Sequence, residues 1–223
     1  ITGQWLDPED ITLEGIDHLD TADFEYANRL GRRIKLVALL QRTDDALRAY
    51  VLPLMIPKDD LLAKISGSTN VLTLHGRFSE DISLIGKGAG SLPTASAIVA
   101  DLNRVQHPQH NRPVDSGVPA RPLEAFDQYR FQHTLRFEVR DAPGIVGHIG
   151  QVLARHDINI YALEQLPHYL DHENKQALFT LTLEPAREGL VQKALTEIQA
   201  ADFMVAPVVI LREPIPEQKG ASA

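Results

Sequence analysis

The residues best suited to chemistry lie in a glycine-rich run, Gly86-Lys87-Gly88-Ala89-Gly90, followed by Ser91-Leu92-Pro93-Thr94-Ala95-Ser96. Glycine takes up positive φ without steric cost, Ser91 suits an N-cap, and Pro93 suits the first turn of a helix. Apolar residues then recur at three and four (Ala95, Ile98, Val99, Leu102, Val105), so the spacing predicts a helix with one buried face. Its start offers unpaired N–H groups and the positive end of the helix dipole, the chemistry that holds a phosphate or carboxylate. The same residues are also what any tight turn needs. A dinucleotide fingerprint demands in addition a βαβ unit of about thirty residues with an acidic residue ending the second strand. Here the helix runs into His107-Pro108-Gln109-His110-Asn111-Arg112-Pro113, which is loop chemistry. The turn can touch a nucleotide, but the chain holds no complete dinucleotide-binding domain.

Other candidates are weaker. His107 with His110, and His168 with His172, lack the three or four convergent ligands a closed metal site requires, so no metal is expected. Ser91 and Ser96 have no histidine and acid in a nucleophile-elbow pattern. Cysteine is absent, which excludes disulfides and thiolate sites and fits a reducing, cytoplasmic setting. With 22 Lys+Arg against 30 Asp+Glu, a net charge of −8 argues against nucleic acid, whose affinity rests on phosphate neutralisation. No run approaches the ~18 apolar residues of a membrane span. The first residue is Ile1, with no basic or apolar leader after it, so the sequence reads as a fragment or a processed chain.

The elements that must position these residues follow from periodicity. Asp20 caps a helix reaching Leu30, with Phe24, Ala27 and Leu30 on its inner face and Gly31 as its stop. Residues 34–40 and 47–56 read as strands joined by a hairpin turn, with Pro53 marking an edge or an end. Residues 58–65 suit two helical turns, and 71–75 and 83–85 two more strands. The first region is therefore expected to be α+β, a mixed sheet of about four strands with helices packed on it. Residues 106–124 hold four prolines and mark a linker. Beyond it the order is βαββαβ: an alternating strand with Phe131, His133, Leu135, Phe137 and Val139 on one face; a helix bearing Ile145, Ile149, Val152 and Leu153; strands from Asp157 and over 177–183; a helix over 188–200; and a last strand over 205–211. That is the ferredoxin-like arrangement. The division expected is 1–105, linker 106–124, second domain 125–215 and tail 216–223.

Asp141-Ala142-Pro143-Gly144-Ile145-Val146 and His156-Asp157-Ile158-Asn159-Ile160 resemble the ACT domain, a small-molecule-sensing fold. The resemblance implies an amino-acid effector site, usually between two paired ACT domains, involving Asp141, Gly144, Ile145, Val146, Asn159 and Gln165. The physics agrees: the turn opens a helix N-terminus toward a carboxylate, and Asp141 can accept an ammonium. An ordinary capped helix start is the alternative.

Glu14-Gly15-Ile16, Leu30-Gly31, Ile34-Lys35-Leu36, Pro57-Lys58-Asp59, Asn70-Val71 and above all Gly86-x-Gly88-Ala89-Gly90-x-x-Pro93-Thr94-Ala95-Ser96-Ala97 resemble the C-terminal half of homoserine dehydrogenase. The first region is thus expected to be part of that family's catalytic and dimerisation domain. The resemblance implies an NAD(P)-dependent enzyme reducing aspartate semialdehyde to homoserine, on the route to threonine, methionine and isoleucine, with threonine as its effector. It places Gly90, with Gly88 and Thr94, near the cofactor. Gly15-Ile16-Asp17-His18-Leu19-Asp20 imitates the family's catalytic helix, yet Thr21 stands where a proton-donating lysine is needed. No catalytic residue is therefore expected within the chain, which by itself is expected to hold no cofactor and to be inactive. Two long apolar strands point to a homodimer through the sheet. The other reading is a freestanding amino-acid-sensing module.

Overall fold

The computed structural model describes residues 4–76, 80–106, 120–165 and 176–215. In chain order the elements are β1 (Thr12–Leu13), α1 (Thr21–Arg29), β2 (Arg32–Arg42), β3 (Leu47–Pro57), α2 (Leu61–Lys64), β4 (Thr69–Leu74), β5 (Ile82–Lys87), α3 (Ser91–Gln106), β6 (Arg130–Arg140), α4 (Ile145–Arg155), β7 (Ile160–Gln165), β8 (Gln176–Leu183), β9 (Ala186–Arg187), α5 (Glu188–Gln199) and β10 (Val209–Pro214). The fold is α+β. Contacts divide it otherwise than the motifs do: residues 6–56 and 121–223 form one unit, and residues 1–5 and 57–120 the other.

The larger unit is built on one sheet in the order β1-β3-β10-β6-β8-β7, with β2 on β3 and β9 on β6. Its part β10-β6-β8-β7 is the antiparallel ferredoxin-like sheet that the βαββαβ pattern predicts. Alternation along β6 sends Leu135, Phe137 and Val139 to the face covered by α4 and α5, where they meet Ile149, Val152, Leu153, Val191, Leu195 and Ile198. Each such fully buried side chain stabilises by about 1.5–3 kcal/mol. Phe137 stacks on Phe179 at 5.3 Å, the two being register partners across β6 and β8.

The opposite face of this sheet is covered by α1. Asp20 caps that helix, accepting the Ala22 N–H at 3.3 Å and donating its own N–H to Asp23 at 2.9 Å. The buried residues are Ala22, Asp23, Tyr26 and Ala27, whereas Phe24 and Leu30, expected inside, are exposed. Polar partners decide the rotation. Arg136 of β6 donates to Asp23 through Nε (2.6 Å) and Nη2 (3.1 Å), Tyr26 shares a hydrogen bond with Thr182 of β8 at 2.9 Å, and Arg29 pairs with Glu164 of β7. A buried carboxylate must face its cation, and an apolar stripe yields to that demand.

The sheet of four strands expected for the first region does not form as a unit. β2 and β3 join the ferredoxin-like sheet, where Arg212 of β10 lies parallel to Leu54 of β3, while β4 and β5 make a separate hairpin. β3 is buried along most of its length, as suits an interior strand. Pro53 accordingly marks neither an edge nor an end: it falls between Val51, paired with β1, and Leu54, paired with β10, inside a strand that β2 also joins. The last strand begins later than expected, at Val209; Met204 makes only a bridge to Val139. Residues 58–65 yield a single turn, α2, capped by Asp60.

The smaller unit contains α2, the β4–β5 hairpin in register Thr69↔Lys87 to Leu74↔Ile82, and α3. Every residue of α3 except Pro93 is exposed, so the face expected to be buried is uncovered. His107, His110, His168, His172, the linker over 107–119 and the tail over 216–223 lie outside the described residues.

Candidate functional site

The turn after β6 builds the more complete of the two candidate sites. Asp141-Ala142-Pro143-Gly144 carries the chain from the strand into α4, and Gly144 sits at the N-cap position with φ +93°, a conformation that favours glycine. Glycine brings no side chain to cap the helix, so the N–H groups of the first turn have no side-chain partner there. A cleft of ≈ 150 Å³ opens on this turn, lined by Val139, Asp141, Ala142, Gly144, Ile145, Val146, Gly147, Gln165, Ala177 and Phe179. Five sequence-derived candidates, Asp141, Gly144, Ile145, Val146 and Gln165, thus come together. Asn159 does not line the cleft; its carbonyl accepts the Glu184 N–H at 2.9 Å, in the loop before β7. Val139, Ala177 and Phe179 were not singled out, because a strand's inner face reads as core whether or not its end forms a cleft wall.

The arrangement offers N–H donors at a helix start, a carboxylate at Asp141, an amide at Gln165 and an apolar floor. It can hold a small zwitterion, carboxylate on the helix and ammonium toward Asp141. A larger cleft of ≈ 390 Å³ is lined by Asp10, Thr12, Ala49, Leu123, Glu124, Ala125, Phe126 and Tyr129. Its central polar groups are already engaged: the Tyr129 hydroxyl accepts the Ala49 N–H at 3.0 Å and donates to the Glu124 carbonyl at 3.2 Å, and Arg48 binds the Glu124 carboxylate at 2.6 Å. Burial raises the Tyr129 phenol and, with Tyr129 beside it, pushes Tyr50 up to about 12, so both stay neutral hydrogen-bonding groups.

The glycine turn is the second candidate. Gly88 donates its N–H to the Ser68 carbonyl at 2.7 Å, and a Cβ on Gly88 would lie 2.0 Å from Asn70 Nδ2. Gly90 has φ +126°, and Thr94 donates to its carbonyl from both N (3.1 Å) and Oγ1 (2.8 Å). Gly90 rather than Ser91 is therefore the N-cap, and Thr94 fastens the turn from within. Among the described residues no cluster of three or more His, Asp or Glu could hold a metal ion.

A buried charged network was not foreseen. Arg212 of β10 donates to Glu188 through Nε (2.9 Å) and Nη2 (2.8 Å), and to Glu14 through Nη1 (2.8 Å); His133 Nε2 lies 2.9 Å from the same Glu188 carboxylate. Burial alone would raise the Glu188 pKa, but the hydrogen bonds from His133 and Arg212 outweigh it and hold the carboxyl well below its ordinary range. His133 Nδ1 is the buried side-chain polar atom left without a partner among the described residues. The signal was faint: Arg212 and Glu188 are charged residues next to apolar runs, each readable as solvated.

Residues 1–102 match the family model described as homoserine dehydrogenase, and residues 133–200 match the ACT domain model. The chain belongs to the homoserine dehydrogenase family. The homoserine dehydrogenase of Neisseria gonorrhoeae is 31% identical over 212 residues, 90% of this chain and 47% of that protein. That of Pseudomonas aeruginosa is 32% identical over 213 residues, 89% of this chain and 48% of that protein. Among solved structures, the homoserine dehydrogenase of Thiobacillus denitrificans superposes with a TM-score of 0.75 at 29% identity, covering 92% of this chain and 48% of that one. The chain spans about half the length of the curated relatives it matches, as expected of a C-terminal portion of a homoserine dehydrogenase. The cleft on Gly144 lies in the segment matched to the ACT domain, and the glycine turn in the segment matched to the homoserine dehydrogenase model.

Proposed function

We propose that this chain is the regulatory and structural portion of an NAD(P)-dependent homoserine dehydrogenase, and that its ACT cleft binds an amino acid, threonine first among candidates. The observation that carries this is the convergence of Asp141, Gly144, Ile145, Val146 and Gln165 on one small cleft at an uncapped helix start. The ligand carboxylate accepts hydrogen bonds from the free N–H groups after Gly144, its ammonium donates to Asp141 or a nearby carbonyl, and Gln165 offers its amide across the cleft. Asn159, away from the lining, contributes by shaping the loop into β7.

In the parent enzyme the turn at Gly88 and Gly90, fastened by Thr94, forms one edge of the nicotinamide site for the interconversion of aspartate semialdehyde and homoserine in the cytoplasm. Hydride transfer also requires a positioned nicotinamide and a proton donor, and this chain supplies neither. It therefore works as part of a larger protein, feeding threonine and methionine synthesis, with subunits paired through the sheet. β2 is the strand placed to make that homodimer, since it pairs with β3 and exposes Leu36 and Leu40. Calorimetric titration of threonine and a panel of other amino acids tests the cleft. Wild type is expected to bind, and Asp141→Ala to bind more than tenfold more weakly, from the ~1.5–3 kcal/mol of a hydrogen bond to a charged group. Equal binding by both proteins, or none by wild type, would reduce the ACT domain to a structural module.

A further inference from the structure

The amino-acid cleft and helix α1 meet the same sheet on opposite faces, and the register of β6, β8 and β7 sets them one residue apart. Phe137, Phe179 and Gln165 are cross-strand partners in one row. Phe179 and Gln165 line the cleft, and Phe137 stacks on Phe179. The next row is Arg136, Thr180 and Glu164. Strand alternation turns that row to the other face, where α1 claims both of its ends: Asp23 accepts from Arg136, and Arg29 pairs with Glu164. Thr180 ties the row together by donating Oγ1 to the Glu164 carbonyl at 3.3 Å, and Tyr26 of α1 adds its bond to Thr182 on the same strand. Helix α1 lies in the segment matched to the homoserine dehydrogenase model, whereas the residues it grips lie in the segment matched to the ACT domain.

Among the described residues β7 is the last strand of its sheet, paired with β8 alone, so its end is held by a ladder on one side only. We propose that Arg29 is a positioning residue for the cleft: its pair with Glu164 gives the end of β7 a second hold, which keeps Gln165 facing the bound amino acid. The coupling runs both ways. Whatever the seating of α1 contributes to ligand affinity, the ligand returns to the seating of α1. Because α1 ends at Arg29 and β2 begins at Arg32, occupancy of the cleft is felt next at the strand proposed for subunit pairing. The inference rests on the cleft binding an amino acid, and it names the residues through which the dehydrogenase segment senses that ligand.

The test is calorimetric titration of threonine, then of the other amino acids, at low ionic strength, where an exposed pair is least screened. Arg29→Gln and Glu164→Gln are each expected to bind about two- to five-fold more weakly than wild type, the range an exposed ion pair can supply. Arg29→Glu/Glu164→Arg, which reverses the pair, should recover most of the loss; a residue that merely stabilised the fold would not be rescued in this way. Arg155→Gln, which breaks the exposed pair with Glu197 between α4 and α5, should bind as wild type does. Thermal melts of all variants should lie within about 2 °C of wild type. In amide hydrogen exchange, saturating ligand should slow the amides of α1 in wild type and not in Arg29→Gln. Equal affinity in Arg29→Gln and wild type, no recovery in the reversed pair, or α1 exchange unmoved by a ligand that does bind, overturns this proposal alone. No binding of any amino acid by wild type overturns it together with the assignment of the cleft.

Discussion

Replacing Arg212 by methionine probes the joint between the ACT sheet and the strands before it. Arg212 is 1% exposed, makes two bonds to Glu188 and one to Glu14 through its guanidinium, and lies on the strand that pairs with both β6 and β3. Methionine keeps most of the volume, so the loss is electrostatic: the buried Glu188 carboxylate loses its guanidinium and retains His133 at 2.9 Å and the Gln192 amide at 2.8 Å. Breaking one side of a buried ion pair costs about 3–5 kcal/mol. At roughly 2–4 °C per kcal/mol for a domain of 150–250 residues, the melting temperature should fall by about 6–20 °C. Differential scanning calorimetry measures it, with Arg104→Met, removing an exposed pair with Asp101 on α3, as a control expected to shift little. Arg212→Met/Glu188→Gln should recover part of the loss, because the uncompensated charge goes with its partner. An Arg212→Met protein melting within 2 °C of wild type would refute the reasoning, as would a double variant less stable than the single.

Glu188 also sets an acid limit: its folded pKa is depressed, so its contribution is present above the unfolded glutamate value of about 4.3 and is lost as pH falls below it toward the folded value. Stability measured from pH 6 down to pH 3 should decline with a steeper slope in wild type than in Glu188→Gln; parallel slopes would contradict this. At the glycine turn, Gly88→Ala should cost about 0.5–1.5 kcal/mol through displacement of the exposed Asn70 side chain, and Asn70→Ala/Gly88→Ala should recover most of it in thermal melts. Gly90→Ala should lose about 1–3 kcal/mol whatever stands at position 70, since its φ of +126° is the source of strain. Mixed with homoserine and either NAD or NADP, the chain alone should give no reduced cofactor above the blank, and turnover would show that a catalytic constellation resides in these residues.

Local patterns were legible where one element decides its own form. Asp20 announced the start of α1, the alternation from Phe131 to Val139 announced β6, and the glycine at 144 announced a turn into α4. The pairing of distant segments was not legible. Nothing local in Leu47–Pro57 says that β10 will lie beside it, because any apolar strand offers the same ladder, and the choice is made by Arg212 reaching Glu14 and Glu188. The inner face of α1 was misjudged for the same reason: Phe24 looks like core until Arg136, 113 residues away, claims Asp23. The cleft candidates at Asp141–Val146 came from a contiguous motif, whereas Val139, Ala177 and Phe179 join it only through the β6–β8 register.

The most direct test of the central claim is a threonine titration of the ¹⁵N-labelled chain followed by amide NMR. The account predicts saturable shifts of the Ile145, Val146 and Gly147 amides and of Gln165, lost in Asp141→Ala, with the amides around Ala49 and Glu124 at the larger cleft unmoved. Shifts confined to Ala49 and Glu124, or no shifts with threonine or any other amino acid at millimolar concentration, would contradict it.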